Sequence, residues 1–124
     1  MTVVPAPSAP THELGTACFT SLATPSRGSR ETSVWRVEIA PHSPATPHSL
    51  TREEVFVVLE GAAAVTLDGE LSTARAGDAI IVPPGLNFAL ANETDDPLRL
   101  LCCMPVGGQG RIGNGAPFTP PWAA

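Results

Sequence analysis

The chain contains no lysine and no tyrosine; all seven of its basic residues are arginine. Schiff-base catalysis by a lysine amine and proton transfer by a phenol are therefore excluded. Also missing is any run of about 18 apolar residues, the length a membrane-spanning helix needs. The opening MTVVPAPSAP has neither a charged n-region nor an apolar h-region, so no secretory signal is expected there. Three cysteines, Cys18, Cys102 and Cys103, are an odd number without zinc-knuckle spacing. They suit free thiols in a reducing, cytoplasmic compartment better than a disulfide framework. A net charge of -5 and only 15% charged residues give no basic footprint for nucleic acid.

What is present is a chain of 124 residues, 43% hydrophobic, enough for one domain with a real core. Fourteen prolines and eleven glycines punctuate short apolar segments, which points to an all-β fold. Candidate strands are Ala17–Leu22, Ser33–Ile39, Glu53–Glu60, Ala62–Leu67, Glu70–Ala74, Ala79–Val82, Leu86–Asn92 and Leu98–Met104. Between them lie turn signals: Asp68-Gly69, Ala76-Gly77-Asp78, Pro83-Pro84-Gly85 and Thr94-Asp95-Asp96-Pro97. Strands at this spacing predict a sandwich or small barrel over residues 16–106. Residues 1–15 read as a flexible arm with His12 at the surface, and 107–124 as a Gly/Pro-rich tail. Phe118 and Trp122 in that tail are side chains that a solvated segment does not need, so docking on the barrel or a partner subunit is the alternative to disorder.

The segment 41–61, PHSPATPHSLTREEVFVVLEG, carries most of the chemistry. Read as one strand, it places His48, Leu50, Arg52, Glu54, Phe56 and Val58 on one face. An imidazole, a guanidinium and a carboxylate among apolar groups are costly inside a barrel unless they are paired or functional. A wet barrel mouth capped by these groups is the bland alternative. In Leu86–Asn92, Phe88 and Leu90 share a face. Trp35, Val37 and Ile39 oppose Arg36 and Glu38 on their strand, the pattern of a half-buried sheet. Cys102 and Cys103 are adjacent strand residues pointing apart, so a vicinal disulfide is not expected.

Two blocks of the chain resemble the motifs of the cupin superfamily. The first, G-x5-H-x-H-x3,4-E-x6-G, meets His42, His48, Leu50, Glu54 and Gly61; the second, G-x5-P-x-G-x2-H-x3-N, meets Gly77, Pro83, Gly85, Phe88 and Asn92. The resemblance spans about residues 33–106 and implies a small single-domain cupin, a double-stranded β-helix or jelly-roll barrel. Metal-binding members use two His, one Glu and a third His. Here His48 and Glu54 remain, while Leu50 and Phe88 replace the other two. No cofactor is therefore expected; weak divalent-metal binding stays open through His48 and Glu54, with His42 or Cys102 as a recruited ligand.

The resemblance also implies that His48 and Glu54 converge, which strand spacing alone does not. Their expected role is acid–base chemistry on an organic small molecule, with Arg52 binding an anionic oxygen. Leu50, Phe56, Val58, Phe88 and Leu90 would line the pocket. The reaction classes are isomerisation, cyclisation, dehydration and decarboxylation. The alternatives are a non-catalytic binding or sensing barrel, and a metal-dependent enzyme with recruited ligands. Val55, Val57 and Leu59 form an apolar outer face, and small cupins of this kind are usually dimers, so a homodimer is expected, with the arm or tail crossing over. No nucleic-acid or membrane partner is expected.

Overall fold

A computed structural model describes residues 2–124. Among the described residues eleven strands and two short 3-10 turns follow one another. They are β1 (His12–Leu14), β2 (Ala17–Ala23), β3 (Thr32–Ile39), β4 (Ser49–Leu50), β5 (Glu54–Glu60), β6 (Ala62–Leu67), β7 (Glu70–Arg75), β8 (Ala79–Val82), β9 (Phe88–Ala91), β10 (Leu98–Pro105) and β11 (Gly110–Arg111). One antiparallel sheet runs β1-β2-β3-β10-β5-β8. Facing it is β7-β6-β9. A bridge between His48 and Phe88 carries the second layer on to the β4–β11 pair. Two sheets closed over one core in this way make the jelly-roll barrel expected of the sequence.

Alternation decides which side chains enter that core. The large sheet contributes Phe19, Trp35, Val37, Phe56, Val58, Ile80, Leu100, Cys102 and Met104; the small sheet contributes Ala63, Val65 and Phe88. The hairpin at Asp68-Gly69 joins β6 to β7, both turn residues taking positive φ. Gly61 has φ 85°, and an added Cβ would lie 2.6 Å from the Pro97 carbonyl oxygen, so this turn between β5 and β6 admits glycine alone. Asn92, fully buried, binds the loops on either side. Its amide donates to the carbonyls of Ile39, Ala40 and Asp96, and its oxygen accepts from the Thr94 amide and hydroxyl.

The segment read as a loose arm contains β1, paired to β2 through Leu14↔Ala17 and His12↔Phe19. Gly15, in a left-handed conformation, supplies the reversal that a Pro- and Thr-rich composition concealed. The last residues pack on the barrel. Trp122 stacks on Phe19 with ring centroids 3.6 Å apart and planes 7° from parallel, and Ala123 is buried in the core. Ser21 and Ser33 donate hydroxyl hydrogen bonds of 2.7 Å to the carbonyls of Trp122 and Ala123. Buried serines on the inner face of β2 and β3 thus find acceptors in the tail.

Candidate functional site

The path from β4 to β5 is not one strand. Residues 51–53 bend between them, so the alternation of 48, 50 and 52 does not carry through to 54, 56 and 58. Leu50, Glu54, Phe56 and Val58 are buried, whereas Arg52 is exposed. The shared face expected for Arg52 is thereby corrected: its guanidinium lies outside the interior because it sits in the bend. Phe88 is buried, and Leu90 packs half-buried against the core.

His48 is positioned by β9. Its amide donates to the Phe88 carbonyl at 2.9 Å, and the Phe88 amide donates back to its carbonyl at 2.8 Å. This pairing sets the imidazole against the Phe88 ring, with centroids 4.1 Å apart. The Phe88 ring also meets Phe56, with centroids 5.8 Å apart. The Thr46 carbonyl lies 2.9 Å from His48 Nδ1. A carbonyl only accepts, so Nδ1 carries the hydrogen and Nε2 offers its lone pair. Burial holds this imidazole below its usual pKa, against the opposing pull of the Thr46 hydrogen bond.

Glu54 opens β5, opposite Val82 and on the same face as Phe56. It is only 5% exposed, and burial alone pushes its carboxyl up to about 8. No described residue donates a hydrogen bond to it, and no ion pair joins it to His48. Cys102, opposite Phe56 on β10, faces inward beside Glu54; burial first, then the charges of Glu54 and Cys103, raises its thiol. Of the two adjacent cysteines it is Cys102, paired with Phe56 and fully buried, that faces the interior. All three cysteines are free.

The donor set does not fit a metal. The Leu50 and Phe88 positions offer hydrocarbon, and the Phe88 ring occupies the flank of His48. Among the described residues no three His, Cys, Asp or Glu side chains gather. His42 is not a recruited ligand: its Nε2 meets Asp95 Oδ1 at 2.6 Å on the surface, and it lines a cleft outside the barrel. Sequence reasoning missed Asp95 as its partner and Thr46 as the acceptor that fixes the His48 tautomer. For His42 a signal existed, since a residue standing at a motif glycine takes positive φ, here 55°.

No helix of the described residues is long and apolar enough to cross a membrane. The sequence profile of the cupin domain matches residues 35–104. The polyketide cyclase RemF from Streptomyces resistomycificus superposes with a TM-score of 0.72 at 22% identity, over 91% of this chain and 82% of that one. KdgF from Halomonas sp. gives 0.63 at 22% identity, over 73% and 79%. The cupin domain of Schizosaccharomyces pombe Cnp3 gives 0.64 at 21% identity, over 75% and 66%. At these identities the likeness is one of fold. The uncharacterized protein MJ1618 of Methanocaldococcus jannaschii is 40% identical over 53 residues, 43% of this chain. The chain matches 42% of that relative's length.

Proposed function

We propose that this chain, which belongs to the cupin family, takes an organic small molecule into its barrel and moves protons on it without a metal. The observation that carries the reading is Glu54, a residue 5% exposed whose carboxyl accepts no hydrogen bond from a neighbour, keeps a little solvent contact, and is pushed up to about 8 by burial. Carboxyls whose proton affinity is shifted this far by desolvation cluster at functional sites. Held protonated near neutral pH, Glu54 is a general acid. His48, against the Phe88 ring, stays neutral with Nε2 free, which suits a general base. Environments that push two groups apart in this way divide the roles of acid and base.

For a carbonyl substrate the steps balance directly. His48 Nε2 takes a proton from the carbon beside the carbonyl, and Glu54 gives its proton to the carbonyl oxygen, forming an enol. Return of the protons at other positions completes an isomerisation; attack of the enol carbon on a second carbonyl is a cyclisation, the activity in the name of RemF. Phe56, Phe88, Leu50 and Val58 supply apolar walls for the carbon skeleton. These steps make no use of Arg52, which is exposed in the bend. Three free thiols support a reducing compartment.

A panel of simple carbonyl compounds tests this chemistry directly. The protein is incubated in deuterium oxide with small ketones and keto acids, and exchange of α-hydrogens is followed by proton NMR. Exchange is expected with some members and is expected to fall at least about a hundredfold in Glu54→Gln and His48→Ala. Equal exchange in the wild type and the double variant would sink the proposal. A ligand that binds in the barrel and returns unchanged would leave a carrier or sensor, a reading favoured by the hydrocarbon at positions 50 and 88.

We further propose that the unit works as a homodimer. Val34, Val55, Val57, Ile81 and Leu101 lie side by side on the outer face of the large sheet, with Ile81 57% exposed. Such a patch is what a second copy would cover. Light scattering at micromolar concentration should give twice the chain mass, and Ile81→Glu should halve it. A monomeric wild type would refute the dimer.

A further inference from the structure

The small sheet has an outer face as well as an inner one. Ala64 and Thr66 of β6, Ala91 of β9 and Leu71 of β7 share that face, and the loop at 42–45 closes over one end. Together they bound a cleft of about 450 Å³, separate from Glu54 and His48. Its floor is low because the strand residues there are small. Its wall is fixed: Ser43 and Asn92 exchange backbone hydrogen bonds of 2.8 and 3.1 Å, and both residues are buried.

His42 stands at the rim with φ 55°, a left-handed conformation that favours glycine. Strain of this kind persists only where the surroundings enforce it. Asp95 holds the imidazole at Nε2. An ionised carboxylate only accepts, so Nε2 carries the hydrogen, and a neutral ring presents Nδ1 as an acceptor. No described residue fills Nδ1. Glu93 adds a carboxylate to the lining, which contains no arginine. The cleft therefore offers methyl groups below and acceptors or negative charge at the rim.

We propose that this outer cleft binds small primary alkylamines, with the alkyl chain on Ala64, Ala91 and Leu71 and the ammonium between His42 and Glu93. An ammonium has three donors and no acceptor, which matches the rim. A carboxylate ligand would meet Glu93 and Asp95 as like charges. The site stands apart from the barrel chemistry, and neither reading depends on the other.

The experiment uses the full chain with n-butylamine, n-butanol and butyrate as probes, titrated by NMR with alanine methyl labels. Butylamine is expected to shift the methyls of Ala45, Ala64 and Ala91 saturably, butanol about tenfold less tightly, and butyrate not at all. His42→Gly suits the left-handed backbone, so its fold should hold while amine affinity drops about tenfold. Glu93→Gln should weaken the amine and leave butanol unchanged, and Glu54→Gln should leave the cleft titration as in the wild type. Equal binding of butyrate and butylamine, undiminished binding by folded His42→Gly, or saturable shifts confined to the barrel interior would each overturn the assignment. Absence of any saturable shift up to about 100 mM amine would do the same, given the affinity available to so small a ligand.

Discussion

Glu54 and Asn92 are both buried polar side chains at motif positions, and their surroundings are opposite. Asn92 gives or takes a hydrogen bond at every available direction, tying Ile39, Ala40, Thr94 and Asp96 into one junction. Glu54 has none, and burial alone governs its proton. The first is polarity used to hold a fold; the second is polarity that the fold tolerates at a cost. The difference separates a structural residue from a candidate chemical one more sharply than burial does, since both are nearly inaccessible.

Removal of the two groups should show that contrast. Asn92→Leu removes five hydrogen bonds at once and leaves the Thr94 amide without its acceptor, while the Ala40 and Asp96 carbonyls keep the Ser43 and Thr94 hydroxyls; it should destabilise the barrel by about 4 kcal/mol in urea titrations. A loss below about 1 kcal/mol would break the distinction. Glu54→Gln should act with the opposite sign at alkaline pH. A carboxyl raised from 4.5 to about 8 on folding contributes stability that is fully present below 4.5 and is lost as pH rises through about 8. At about 1.4 kcal/mol per pH unit, the wild type should lose several kcal/mol between pH 5 and pH 9. Glu54→Gln should flatten that slope and be the more stable protein at pH 9.

Trp122→Ala should cost about 2 kcal/mol, since the indole is only partly buried. Because it leaves Glu54 and Asn92 untouched, its effect should be independent of pH in the same titrations. The smallest effect is at His48. With its pKa lowered on folding, stability is lost as pH falls below 6.5, so His48→Gln should relieve that acid-side slope in the same urea titrations.

Much of this was legible in the sequence. The longer strands announced themselves because each is flanked by Gly, Pro or Asp-Gly turns, whose conformational demands are local. β4 and β11 are two residues each and exist only because residues 49–50 meet 110–111, a contact no local pattern encodes. Burial of Glu54 followed from its alternation with Phe56 and Val58. Arg52 was misplaced for the converse reason: a period of two holds within a strand and ends at a bend. The meeting of His48 with Phe88 depends on a bridge between distant segments, so spacing could name both residues but not their contact.

The seating of Trp122 against Phe19 has an optical consequence. With no tyrosine in the chain, ultraviolet emission comes from two indoles alone, Trp35 deep in β3 and Trp122 near the end of the tail. Intrinsic fluorescence is therefore a reporter with two channels, one reading the barrel and the other the docking of the final residues. In a Trp35→Phe protein the surviving signal would follow the tail by itself, so its release could be timed separately from unfolding, without any added label.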